Sequence, residues 1–164
     1  MNIRLTKMTR MLNRIYFRKF KYDVNLLEET DTFRQFKYNK QWCDVYWKRQ
    51  RKLGRIHLAI MRGMIPIGEV ILKNLDHSKK CCTLSIHLRN DSVKDKGYGT
   101  AAEIQALQYA FNKLQCDTVY ADAIKRNLRS RHALEKVGYQ EMYYDERFVY
   151  YRCERNNRNP EGHI

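Results

Sequence analysis

Residues 94–101 read Lys94-Asp95-Lys96-Gly97-Tyr98-Gly99-Thr100-Ala101, and this stretch decides the fold because it joins a strand to the best helix of the chain. Downstream, Ile104, Leu107, Phe111 and Leu114 recur at helical spacing and predict one apolar stripe over residues 97–114. Gly97 and Gly99 let the backbone turn tightly and approach a ligand closely. The amides opening such a helix have no partner inside it, and the helix dipole favours an anion beside them. Lys94 and Lys96 add positive charge, so the expectation is a seat for a pyrophosphate.

Upstream, three strand signals come in series. Residues 56–61 are apolar and β-prone, and Gly63 marks a turn before a second run at 67–72. A polar turn at 74–78 leads to residues 82–88, where Leu84, Ile86 and Leu88 share one face and Ser85 and His87 the other. These runs predict an antiparallel meander. Further towards the N-terminus, 40–52 reads as a helix, 25–38 as polar and aromatic with short helical stretches, and 15–20 as a first strand. Residues 1–12 read as a loose basic extension. Beyond the long helix, 118–123 is a short strand, and Asn127 caps a second helix running to about residue 136. Gly138 ends it, and 139–144 with 147–153 alternate as a closing hairpin. The pattern is α/β of the α+β kind: a mixed, mostly antiparallel sheet of about six to seven strands, flanked by helices, with one parallel connection. It divides into a basic extension (1–13), a single domain (14–155) and a polar tail (156–164).

Composition narrows the function classes. The chain has 164 residues, 43% of them hydrophobic, with seven glycines and two prolines. That is enough to bury one core without metal or disulfide staples. No run approaches the roughly 18 apolar residues of a membrane span, and the basic N-terminus lacks the apolar core of a signal peptide. The five cysteines are odd in number and contain no Cys-x-x-Cys, which fits a reducing, cytoplasmic compartment. No His and Cys spacing suits zinc, so no metal is expected. The net charge of +14 favours anionic ligands or partners, but its lysines and arginines are dispersed along the sequence.

Three nucleotide-type readings compete for residues 94–101. A P-loop would need Gly-Lys-Ser or Gly-Lys-Thr, which is absent. A dinucleotide fingerprint is partly met by Gly97-x-Gly99-x-x-Ala102, but it should open a doubly wound parallel fold, and here it follows an antiparallel meander. Coenzyme A is the third reading, and it fits the order of elements.

Lys94-x-x-Gly97-x-Gly99-Thr100-Ala101 resembles the acetyl-CoA motif of the GNAT superfamily, Arg/Gln-x-x-Gly-x-Gly/Ala, with Lys in the first position. A second block, from Asn127 through Ser130, Leu134, Lys136 and Gly138 to Tyr139, is similar to the Asn-x-x-Ser…Glu-Lys-x-Gly-Phe signature of the branch that acetylates ribosomal-protein N-termini. Gly68-Glu69-Val70 also matches that branch. The resemblance covers residues 56–155. It implies an acyl-CoA N-acyltransferase fold with a splayed parallel strand pair, 84–88 beside 118–123, and acetyl-CoA as co-substrate. It also implies that backbone at Ile86, His87 and Leu88 pairs with the pantetheine arm and that Asn127 hydrogen-bonds it. Lys94, Asp95, Lys96, Gly97, Tyr98, Gly99 and Thr100 would surround the pyrophosphate.

Acetyl transfer needs a neutral amine, a donor for the developing oxyanion and a proton for the leaving thiolate. The resemblance points to the main-chain N–H near Leu88 for the oxyanion. Many superfamily members carry a proton-donating Tyr where this chain has Leu134, whereas the related branch offers the serine that Ser130 matches. Ser130 is therefore the candidate acid and an additional contact to the co-substrate. Glu69 and His87 are the candidate bases, His87 because an imidazole titrates near neutrality. His57, His77, His132 and His163 show no partner pattern. The acceptor is an amine of unspecified identity: a protein N-terminus, a small molecule or an aminoacyl group, with ribosome- or tRNA-linked amines compatible with the charge. No membrane partner is expected, and the assembly is a monomer or homodimer. Two other classes remain open. One is a basic RNA- or ribosome-binding module on a degenerate acetyltransferase fold, and the other a nucleotide-dependent oxidoreductase.

Overall fold

A computed structural model of the chain describes residues 2–20 and 37–157. The expectations for 25–36 and for most of the polar tail fall outside them. In chain order the elements are β1 (Arg4–Lys7), α1 (Arg10–Arg18), α2 (Lys40–Lys52), β2 (Ile56–Arg62), β3 (Ile65–Asp76), β4 (Cys81–Leu88), α3 (Tyr98–Asn112), β5 (Thr118–Ile124), α4 (Leu128–Lys136), β6 (Gln140–Tyr144) and β7 (Phe148–Glu154). They form one seven-stranded sheet in the order β1-β2-β3-β4-β5-β7-β6, parallel only between β4 and β5. The expected mixed fold is present.

Period-two alternation sends Leu58, Ile60, Val70, Leu72, Leu84, Val119, Ala121 and Tyr151 to one face of the sheet. There they pack against Ala102, Ala106, Ala110 and Phe111 of α3 and Leu134 of α4. The opposite face of β2 and β3 is covered by α1 and α2, through Met8, Ala59 and Met61 with Leu12 and Trp47, and through Tyr16, Phe17 and Cys43 with Tyr46. Arg155 closes the far end of α3: its Nη2 donates to the carbonyls of Phe111 at 2.6 Å and Cys116 at 2.8 Å. Among the described residues no helix is long and apolar enough to cross a membrane.

Two N-terminal expectations are corrected. Residues 15–20, expected as a strand, belong mainly to α1. Thr9 caps this helix by accepting from the Leu12 N–H at 3.2 Å. Asn13, Tyr16 and Phe17 face inward, and Arg10, Arg14 and Arg18 recur every fourth residue on the other side. The β-branched and aromatic run Ile15-Tyr16-Phe17 misleads only because it is short; helical periodicity over the whole segment overrides it. Residues 1–12, expected to be loose, supply β1, which pairs antiparallel with β2 from Arg4↔Met61 to Lys7↔Leu58. The Gln105 amide clamps β1 from α3, accepting from Leu5 N–H and donating to the Ile3 carbonyl, both at 3.1 Å.

Candidate active site in the strand splay

β4 and β5 are in register only over Cys81↔Thr118, Cys82↔Val119 and Thr83↔Tyr120. Beyond these pairs β5 stays with β7 as far as Ile124↔Phe148, and β4 stays with β3 as far as Leu88↔Gly68, so the two parallel strands part. Arg89 N–H donates to the Ile67 carbonyl at 3.0 Å, which fixes the direction of the backbone there. By the alternation of an antiparallel ladder, His87 turns its main-chain groups to β3, while Ile86 and Leu88 turn theirs into the opening. These are unpaired strand groups that an extended ligand arm can join.

The opening is sharpened at Gly68. A Cβ there would lie 2.6 Å from the His87 carbonyl oxygen and 2.9 Å from a Leu88 methyl, so only glycine lets β3 lie this close to β4. Gly97 sits at φ +71° as the N-cap of α3 and carries no side-chain cap. Among the described residues the amides of Tyr98, Gly99 and Thr100 have no protein acceptor, and the first such bond in the helix runs from Ala101 N–H to Gly97. Gly99 differs from Gly68: a Cβ would meet only a Leu88 methyl at 3.7 Å, an ordinary contact. Nothing in the protein's own packing requires glycine at 99, and the free space opens beside Leu88, at the mouth of the splay. A diphosphate with an extended arm fits this arrangement of donors and space.

The loop before α3 is braced by ion pairs. Lys94 Nζ lies 2.7 Å from Asp91 and is largely buried, so its charge is turned onto the loop. Asp95, at φ +56°, pairs with Arg129 of α4 at 3.2 Å, which ties the loop to the second helix. Lys96 is exposed. Asn127 caps α4 with its side-chain oxygen on Ser130 N–H at 3.1 Å, which leaves its side-chain NH2 outside that bond. The Ser130 hydroxyl is half-buried and makes no hydrogen bond among the described residues, whereas Leu134 is packed in the core.

On the α1–α2 side of the splay the structure gathers groups that lie far apart in sequence. Glu69 is 1% exposed and stands opposite His87 in the β3–β4 register. His57, expected to have no partner, bonds Glu69 through Nδ1 and is itself 4% exposed. Its Nε2 has no hydrogen-bond partner among the described residues, and its ring lies edge-on to Tyr46 and Trp47 of α2. His87 is exposed to solvent, yet the protein around it partly desolvates the ring and lowers its pKa; Glu69 and Asp122 oppose that shift, while Lys73 and His57 add to it. Lys73 and Asp122 bridge the splay at 3.8 Å, and the Tyr16 hydroxyl reaches the His87 carbonyl at 3.4 Å. Sequence reasoning named Glu69 and His87 and missed His57. No group of His, Cys, Asp and Glu that could hold a metal occurs among the described residues.

The model of the acetyltransferase (GNAT) domain matches residues 10–140. This chain belongs to the GNAT acetyltransferase domain family. As a GNAT domain it is an acyltransferase by family, and solved structures share its fold. A spermidine N-acetyltransferase chimera from Vibrio cholerae and hSSAT superposes with a TM-score of 0.73 at 15% identity, covering 95% of this chain and 97% of that one. The dodecameric V. cholerae spermidine N-acetyltransferase gives 0.69 at 15% identity, with 94% of each chain covered. A protein from T. thermophilus, named as an acetyltransferase without an assigned substrate, gives 0.74 at 17% identity, covering 96% of this chain and 88% of that one. At these identities the likeness is one of fold. A comparison with curated proteins finds no match.

Proposed function

We propose that this GNAT domain transfers an acetyl group from acetyl-CoA to a primary amine by direct attack in a ternary complex. The single observation that carries this reading is the parting of β4 and β5 beside an uncapped, glycine-opened α3. Gly97, Tyr98, Gly99 and Thr100 hold the diphosphate through main-chain N–H groups, with Lys96 adding charge. Ile86 and Leu88 pair with the pantetheine arm, and the Asn127 NH2 donates to it. Bound acetyl-CoA supplies an activated thioester. The Leu88 N–H stabilises negative charge on the reacting carbonyl oxygen, and the Ser130 hydroxyl gives its proton to the departing sulfur while taking one from the attacking nitrogen.

The amine approaches from the α1–α2 side. The protein packed around His87 lowers its pKa, which favours the neutral imidazole, the state able to take a proton from the incoming ammonium. Glu69, held by His57, stands behind it and stabilises the imidazolium that results. For the acceptor, a net charge of +14 disfavours a polycation, because the protein's field repels it. A singly charged amine such as a protein N-terminus, the substrate of the branch that the Asn127–Tyr139 block resembles, is favoured over spermidine.

Acetyl-CoA is expected to raise the melting temperature by several degrees, as a ligand at about a hundred times its Kd does. Thiol release should appear with N-terminal peptides and be weaker with spermidine. Ser130→Ala should slow release roughly a hundredfold and keep the thermal shift. Absence of any shift with either acetyl-CoA or CoA would overturn the co-substrate assignment.

A further inference from the structure

The charge that looks dispersed along the sequence is gathered in space. Residues 1–20 carry six basic and no acidic side chains, and residues 37–55 carry seven against Asp44 alone. These two segments form β1, α1, α2 and their flanks, and they hold twelve of the fourteen net positive charges. Residues 56–157, by contrast, balance sixteen basic with twelve acidic side chains. The segment between the two helices, 21–36, outside the described residues, brings Lys21 and Arg34 against four acids.

Most of these cations face solvent. On α2, Cys43 and Gln50 are buried, and Lys48, Arg49 and Lys52 lie on the opposite, exposed side of the helix. On α1, Arg10, Arg14 and Arg18 step along one side at about 6 Å per four residues. Only Arg10 and Arg14 have an acidic partner among the described residues; both bind Asp44, whose carboxyl they hold well below its ordinary range. A shallow groove runs between these arginines, Lys40 and Tyr38. Aromatic faces accompany the charge. The Arg18 guanidinium lies 5.3 Å from the centroid of the Tyr38 ring, and Trp42, 43% exposed, stacks on Tyr46 at 5.2 Å.

We propose that the α1–α2 face binds RNA. Among the described residues this face is rich in arginine and carries one acid, Asp44, which Arg10 and Arg14 hold, and such a field complements a phosphate backbone. The Arg18 guanidinium beside Tyr38 and the part-exposed Trp42 are planar groups of the kind that unpaired bases stack on. This face lies on the amine-approach side of the sheet, opposite α3 and α4, so RNA bound there leaves the α3 corner free. The proposal is independent of the acetyl-transfer reading.

The test measures binding of a folded tRNA transcript to the full chain by fluorescence anisotropy across a salt series. The wild type is compared with Lys48→Glu/Arg49→Glu/Lys52→Glu and with a control reversing the exposed Lys79, Lys113 and Lys136 elsewhere. The α2 variant should bind at least tenfold more weakly, with a salt slope shallower by about two to three. The control should change little, and both should keep the wild-type thermal shift with acetyl-CoA. The Gln versions of the α2 substitutions repeat the measurement without reversed charge. Equal losses in both variants, or none in either, would overturn the assignment. So would binding to phosphatidylserine vesicles or to polyaspartate that depends on the α2 cations while tRNA is not bound.

Discussion

Glu103 faces inward from α3, is 5% exposed, and has no ion-pair partner among the described residues. Burial alone pushes its carboxyl from 4.5 up to about 8. Between those values the folded chain holds a proton that the unfolded chain has released. The contribution to stability is therefore complete below about 4.5 and declines as pH rises through 8. Glu103→Gln removes this dependence. Melting curves at pH 5.5 and pH 8.5 should show the variant gaining on the wild type at the higher pH; an equal offset at both would mean that Glu103 does not titrate there. Single residues were legible in the sequence where the chemistry is local. Asn127 announces a cap, and Gly97 announces a turn. His57 was not legible: it meets Glu69 diagonally across two strands whose register shifts at Ile60 and Met61, and no spacing rule reports such a shift.

At the scale of elements, the two active-site glycines serve different purposes, and a mutation separates them. Gly99→Glu should leave the fold intact, because its Cβ meets only one methyl at contact distance. It places a carboxylate where anion-binding amides converge, so the thermal shift with acetyl-CoA should disappear. Gly68→Ala should do the reverse and lower the melting temperature, since β3 and β4 must move apart to admit a methyl group. A Gly99→Glu protein that melts normally and still shifts with acetyl-CoA would remove the α3 corner from the site. The elements around this corner were readable because hydrophobic periodicity runs over many residues in α3 and the β2–β4 meander. α1 was misread because nine residues give fewer than three turns, and its inward positions alternate aromatic with polar.

For the whole molecule, the sheet order follows from a meander, one parallel crossover and a closing hairpin, all visible in the sequence. Two global features were not. Spatial clustering of the basic side chains depends on α1 and α2 packing on the same face, which linear spacing cannot express. The place of β1 depends on a contact with Gln105, a hundred residues away. That contact changes what the N-terminus is worth. Ile3 and Met8 are 7% and 2% exposed, and removing residues 1–8 also strips the edge pairing from β2 and leaves the Gln105 amide without both partners. Losing two buried apolar side chains alone costs roughly 4–8 kcal/mol, and for a chain of this size each kcal/mol lowers the melting temperature by about 2–4 °C. The truncated chain should therefore melt more than about 10 °C lower, or aggregate through the newly bared edge of β2. Gln105→Leu in the full-length chain should lose a smaller part of the same stability. A truncation that melts with the wild type would show β1 to be dispensable, as the sequence read alone had implied.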